Sequence, residues 1–224
     1  EKVEGPLRLE DGTSCILQDL PGAYSLHPTS FEEKVVCQVL ANPLHPDYPD
    51  LIVYVLDIQH IEKQMLLFTQ VMELGLPVIL ALNMSDQKNL QYYVYDDRKM
   101  AVKLGLPVLE ISSRTGANLD LLRQSINDLL NESQGSLQDQ WVELPDHDML
   151  RSMDSFPKST AYQKFLMAVH QDLFDGVLDE AQILNLETWK QGQEEPLKLQ
   201  VDDTLSRFDA LKEKKLYDER ETTI

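Results

Sequence analysis

Three short clusters in this 224-residue chain hold the residue types that could do chemistry together: Asp19-Leu20-Pro21-Gly22, Asn83-Met84-Ser85-Asp86 and Ser112-Ser113-Arg114. An Asp at the end of a strand suits Mg²⁺, held through water because this ion dehydrates reluctantly. A glycine three residues on lets a backbone N–H approach a terminal phosphate, since no Cβ intervenes. The second cluster suits a purine. Guanine presents N1–H and N2–H₂ side by side, and one carboxylate, Asp86, can accept both and so reject adenine. The Asn83 amide can reach the purine N7 and tie neighbouring loops. The backbone N–H groups of Ser112, Ser113 and Arg114 could meet the guanine O6 at a tight turn. Each cluster alone also suits an ordinary turn or cap. Their order, with sixty residues between Gly22 and Asn83, carries more than any one of them.

The elements that must position these residues read as alternating strands and helices. Ser14–Leu17 is a short apolar run ending at Asp19. Ser30-Phe31-Glu32-Glu33 is a capping box that opens a helix to about Ala41. Leu51–Asp57 and Pro77–Asn83 read as buried strands, with a helix over Ile61–Leu74 between them. A helix over Asp96–Leu104, a strand over Pro107–Ile111 and a helix over Leu119–Leu130, capped by Asn118, follow. Leu-Gly-Leu-Pro closes two of these helices, at Leu74–Pro77 and Leu104–Pro107. The pattern predicts an α/β fold with a mostly parallel sheet and flanking helices. Ligands of such sheets bind beyond the carboxyl ends of the strands, where Asp19, Asn83 and Ser112 all fall. The composition turns polar over Glu132–Gln140, a linker. Beyond it, helical spacing over Ala161–Leu173, Leu178–Trp189 and Val201–Leu216 predicts a small all-helical unit that leans on the first. The expected domains are 1–131 and 141–224.

Composition narrows the partners. Asp and Glu total 38 against 20 Lys and Arg, a net charge of -18 that repels nucleic acid and anionic lipid. Cys15 and Cys37 lie in apolar runs and read as buried thiols. No apolar run is long enough to span a bilayer. The five histidines, His27, His45, His60, His147 and His170, are scattered without ligand spacing and read as solvated or capping residues; His27, just after Gly22, is the one to watch. Tyr92, Tyr93 and Tyr95 could flank a nucleotide or simply pack a loop, and Glu213-Lys214-Lys215 reads as a solvated helix face.

Asp19-Leu20-Pro21-Gly22-Ala23-Tyr24-Ser25-Leu26 resembles a signature segment of FeoB-type ferrous iron transporters. Pro49–Val53, Leu74–Val78, Ala81–Asp86 and Ser112–Gly116 continue the resemblance in register to about residue 130. Tyr24-Ser25-Leu26 after the first motif, and Met84 where small GTPases carry Lys, separate it from generic GTPases. Asp203–Phe208 resembles the last helix of that family's helical domain more loosely. The resemblance implies a P-loop-GTPase-like domain that binds GTP or GDP with Mg²⁺ and hydrolyses GTP slowly. A helical regulatory domain would follow it, on the cytoplasmic side of a bacterial inner membrane, gating a permease domain of the same parent chain. Asp19 and Gly22 would serve Mg²⁺ and the γ-phosphate; Asn83, Met84, Asp86, Ser112, Ser113 and Arg114 would line the base. A homo-oligomer is left open. No catalytic residue is assigned, since Ala23 stands where a water-orienting glutamine would be.

The chain departs from that pattern at the phosphates. A P-loop needs Gly-Lys-Ser or Gly-Lys-Thr, and none of the nine glycines is followed by Lys. Glu1-Lys2-Val3-Glu4-Gly5 resembles the segment just after the family's switch I. The expectation is therefore an N-terminally incomplete piece whose sheet lacks a central strand and leaves an open edge, with poor solubility alone and no tight GTP binding. The alternatives are a degenerate, non-hydrolysing GTPase-like interaction module and, disfavoured by charge and by Tyr24–Leu26, a ribosome-associated GTPase.

Overall fold

The computed structural model describes residues 3–9, 11–87, 96–132, 141–156 and 158–217. The three tyrosines Tyr92, Tyr93 and Tyr95, most of the polar linker, residues 1 and 2, and the Lys215 side chain lie outside the described residues. Five strands form two sheets. Strands β3 (Ile52–Asp57), β4 (Val78–Asn83) and β5 (Val108–Glu110) make a parallel sheet in the order β3-β4-β5. Strands β1 (Val3–Arg8) and β2 (Ser14–Asp19) form a separate antiparallel hairpin, with Val3 opposite Asp19.

The parallel sheet has the predicted helical crossovers, α2 (Ile61–Met72) from β3 to β4 and α3 (Asp97–Leu104) before β5. Both Leu-Gly-Leu-Pro joints turn in the same way: Gly75 has φ 73° and Gly105 φ 69°, left-handed values that cost a glycine little. Strand β4 is central, and Ile79, Leu80, Ala81 and Leu82 are fully buried, as expected for a strand covered on both faces. One face packs against α1 (Phe31–Ala41) and α2 within the main core. On the other, Ile79 joins Ile126 of α4 (Leu119–Asn131) and Leu9 of the hairpin. Among the described residues no strand pairs with the outer edge of β3 or of β2. Val55 on β3 and Ile16 and Leu17 on β2 are exposed.

The placement of Asp19 corrects the sequence reading. Its strand ends beside β1 in the hairpin and not in the parallel sheet that holds Asn83 and Ser112. The alternation of residues 14–19 signals a strand but not its partner, and β1 carries Gly5 and Pro6, which hid it. Asn118 also differs. It stands at the start of α4 with φ 59° and makes no side-chain cap; its amide donates to the Glu110 carbonyl instead.

The remaining helices are α5 (His147–Arg151), α6 (Ala161–Val169), α7 (Glu180–Gly192) and α8 (Leu197–Tyr217). A 3-10 turn, Gln171–Phe174, takes the place of the end of the expected helix over Ala161–Leu173. Helices α6 and α8 pack on α1 and α2, so Tyr162, Phe165, Trp189 and Phe208 share one core with Leu40, Phe68 and Leu82. Polar ties fix this contact. Buried Gln163 donates to the Leu40 carbonyl (2.9 Å) and the Tyr48 hydroxyl (2.8 Å). Glu73, only 4% exposed at the end of α2, accepts the N–H groups of Trp141 (2.6 Å) and Val142 (3.1 Å), and its carbonyl accepts from Thr160 Oγ1 (3.0 Å). No described helix is long and apolar enough to cross a membrane.

Burial raises the Glu73 carboxyl from 4.5 to about 7 despite those two backbone donors. Its Oε2 has no hydrogen-bond partner among the described residues, and the Tyr162 hydroxyl is the polar group of α6 that senses its charge. The native state therefore holds a proton there that the unfolded chain releases above 4.5, so stability falls as pH rises towards about 7. Glu73→Gln keeps an acceptor for both N–H groups and cannot ionise. It should match the parent near pH 5 and exceed it at pH 8 by roughly 2–3 kcal/mol, or about 5–10 °C in Tm. Thermal melts of both proteins across that range check this; a gap that does not grow with pH would refute the assignment.

Candidate functional site

Asn83 ends β4, and the next three residues fold Asp86 back beneath the sheet edge. Met84 takes φ 64°, a left-handed value rare for a side-chain-bearing residue, and Ser85–Gln87 forms one 3-10 turn. That backbone costs about 1 kcal/mol, strain of the kind found where a loop must place a group. The turn is anchored by Ser85 N–H to the Ile111 carbonyl (3.1 Å) and Gln87 N–H to the Met84 carbonyl (2.9 Å).

The loop after β5 faces it. Asn83 Nδ2 donates to Ser113 Oγ (3.2 Å), and Asn83 Oδ1 accepts from the Ser113 N–H (3.0 Å), a two-way clasp between the strand ends. Ser112 is fully buried. Its hydroxyl donates to Asp86 Oδ1 (2.6 Å) and accepts from the Thr115 N–H (3.2 Å). Arg114 donates from Nε to Asp86 Oδ2 (2.8 Å), and its Nη2 closes on the same oxygen. These donors, the Ser112 hydroxyl first and Arg114 next, hold the Asp86 carboxyl below the usual carboxylate value. The structure thus brings Asn83, Met84, Asp86, Ser112, Ser113 and Arg114 into one constellation.

Two expectations change in detail. The Ser112 N–H donates to the Ala117 carbonyl (3.1 Å) and the Ser113 N–H to Asn83, so neither is free to meet a purine oxygen. Sequence reasoning gave Ser112 a backbone role, whereas its buried hydroxyl is the working group. Asp57 was missed. It pairs in register with Asn83 across β3 and β4, and its Oδ2 lies 2.7 Å from His60 Nδ1. The Asp at a strand end was the available signal.

The other cluster is open. Asp19 and Gly22 are both exposed, and a Cβ built on Gly22 meets nothing within 4 Å. The segment after Gly22, by contrast, is clamped. Glu33 accepts N–H groups from Tyr24 (3.0 Å), Thr29 (2.8 Å) and Ser30 (3.3 Å), so the capping residue of α1 also ties down this loop. Gln70 of α2, fully buried, accepts from the Leu26 N–H (2.6 Å). His27 is not a solvated histidine. It is 6% exposed, its Nδ1 lies 3.0 Å from His170 Nε2, and burial, with the His170 charge second, drives it down to about 3. A groove of about 680 Å³ lined by Trp141, Asp146, His147 and Arg151 includes none of the predicted site residues.

Residues 1–126 match the family model described as ferrous iron transport protein B. The chain belongs to that family. A curated relative, the Fe(2+) transport protein A/Fe(2+) transporter FeoB fusion protein of Porphyromonas gingivalis, is 39% identical over 119 residues, covering 53% of this chain and 14% of its own length. The Fe(2+) transporter FeoB of Escherichia coli is 34% identical over 131 residues, 57% of this chain and 16% of the relative. The chain therefore spans about one-sixth or less of the curated relatives it matches. Among solved structures, the cytosolic domain of L. pneumophila FeoB has a TM-score of 0.72 at 25% identity, over 95% of this chain and 84% of that one. The fold is the mixed α/β arrangement of FeoB cytosolic domains, with a parallel sheet and flanking helices.

If the Asn83 clasp holds the two loops together, Asn83→Ala should free the 112–116 loop without melting β4. The Ser113 amide should then exchange with solvent about tenfold faster, while amides of Leu80 and Leu82 stay protected. Hydrogen exchange followed residue by residue measures both.

Proposed function

We propose that this chain is the guanine-reading part of the cytoplasmic GTP-binding regulatory region of a ferrous iron transporter, with 1–131 as the nucleotide-binding unit and 141–224 as a helical regulatory unit. The observation that carries this is the Asp86 carboxylate, held by Ser112 and Arg114 at the end of β4 beside the Asn83–Ser113 clasp. In this reading Asp86 accepts guanine N1–H and N2–H₂, and the second Asn83 amide hydrogen reaches N7. The exposed Met84 offers a polarizable apolar surface to the base. Asp19 fits Mg²⁺, which takes one or two carboxylates, substrate phosphate oxygens and several waters; the ion would supply charge neutralisation at the phosphates. Gly22, with open space at its Cβ position, leaves its N–H accessible to a γ-phosphate.

Support also comes from relatives: a mutant S. thermophilus FeoB G-domain, 25% identical with a TM-score of 0.63, was solved bound to GDP. The parent protein's permease domain, its place at a bacterial inner membrane and slow GTP hydrolysis belong to the same proposal. Tight phosphate binding would need a Gly-Lys-Ser/Thr loop beside the open edge of β3.

Titration with GDP and ADP, following backbone amides of 83–86 and 112–116, tests the base assignment. GDP should produce saturable shifts there and ADP should not. Asp86→Asn should lose about 10- to 100-fold for GDP and gain comparably for xanthosine diphosphate, because a hydrogen bond to a charged group is worth roughly 1.5–3 kcal/mol. If xanthosine diphosphate gains nothing, Asp86 does not read the base.

A further inference from the structure

We propose that Arg114 is a built-in competitor of the purine, occupying the base-reading carboxylate until guanine displaces it. The inference rests on the guanine reading of Asp86 just given, and reverses the expectation that Arg114 helps to line the base.

Lone-pair accounting on one carboxylate carries it. A carboxylate offers about four acceptor sites, two on each oxygen. On Asp86, Oδ2 takes two N–H donors from Arg114, Nε at 2.8 Å and Nη2 on the same atom. Among the described side chains, Oδ1 takes the Ser112 hydroxyl, at 2.6 Å. Among the described side chains, one oxygen thus carries two donors and the other carries one. A guanine that engages both oxygens at once can share Oδ1 with Ser112 but cannot share Oδ2 with Arg114.

The competitor resembles what it excludes. Guanine's N1–H and N2–H₂ belong to a C–N skeleton with the connectivity of a guanidine, and present parallel N–H donors as the arginine fork does. Arg114 therefore solvates Asp86 with nearly the donor pattern that the base would bring. The accessibilities fit a displaceable group: the Arg114 side chain is 70% accessible and the Asp86 side chain 14%. Ser112, by contrast, is fully buried and anchored by Thr115. Arg114 can swing into solvent while Ser112 keeps the carboxylate aimed. Such an exchange also spares Asp86 from facing water alone, and keeps it ionised in the free protein.

An exposed ion pair is weak, so the competition should be modest. In GDP titrations of the full chain, Arg114→Ala should bind about three- to tenfold more tightly than the parent, and Arg114→Lys, which keeps the charge but loses the planar fork, should fall between them. In the parent, the Arg114 Nε–H resonance should be protected from solvent exchange without GDP and lose that protection as GDP saturates. Three results overturn the inference. Arg114→Ala binding equally or less tightly, with guanine preference intact, removes the competitor but leaves the reading of Asp86. An Nε–H that stays protected in the GDP complex does the same. Failure of both proteins to prefer GDP over ADP removes both ideas. Because Arg114 is largely exposed, its alanine variant should fold, and unchanged amide shifts outside 83–86 and 112–116 verify that.

Discussion

The buried strand β4 is the constraint on which the rest depends. Its four central residues are without exposed surface, packed on one face by α1 and α2 and on the other by α4 and the hairpin. A strand buried on both sides cannot slip by one residue, because every side chain would exchange its environment. That locks Asp57 opposite Asn83 and Leu82 opposite Glu110, and so delivers Asn83 and Ser112 to the same end of the sheet. The Asn83–Ser113 clasp then works at short range, over loops already brought together. Catalogues of contacts at the site would be incidental without this register; the polar residues are accurate because the apolar ones cannot move.

The helices beyond the sheet are bound to it by polar groups inserted into an apolar interface. Gln163 bridges α6 to the end of α1, Glu73 pins the chain at Trp141 and Val142, and His27 meets His170. Each group is nearly buried, so each is costly if left unpaired and fixes one arrangement of the helices. Two of them titrate in opposite senses. Rising pH ionises Glu73 against its surroundings, and falling pH would protonate His27, which burial keeps neutral. Sign by sign, the interface is weakened at both ends of the range: by Glu73 as pH approaches about 7, and by His27 as pH falls below 6.5. The segment carrying His27 is the one that follows Gly22, so the loop nearest the expected phosphate end is physically coupled to α6.

Much of this was legible in the sequence, for reasons that differ between elements. The capping box at Ser30 and the apolar run of β4 are local signals, and both elements appear at their expected places. That the Asn83–Asp86 and Ser112–Arg114 segments meet was legible because both fall at the ends of recognisable neighbouring strands. The hairpin was not, since strand pairing is non-local and Gly5-Pro6 broke the pattern of β1. Among the histidines His27 was misread, because a sequence does not show that residues 27 and 170 meet, 143 positions apart. That the Arg114 fork closes on the Asp86 carboxylate was not legible, because a sequence position does not show which neighbour a side chain meets.

The two halves of the candidate site consequently carry different physics. The proposed base side is assembled: the Asp86 carboxylate is held by a buried hydroxyl and by an arginine, and the loop strain at Met84 is already met by the fold. Preorganisation of this kind would give discrimination, because a base lacking the donor pair would leave Asp86 to its own arginine. The phosphate side is the reverse. Asp19 ends the separate hairpin and Gly22 follows it in the loop, both exposed, and among the described residues nothing lies within 4 Å of the Gly22 Cβ position. In the proposed reading, affinity and specificity rest on different elements, the loops after β4 and β5 for the base and the segment after β2 for the phosphates.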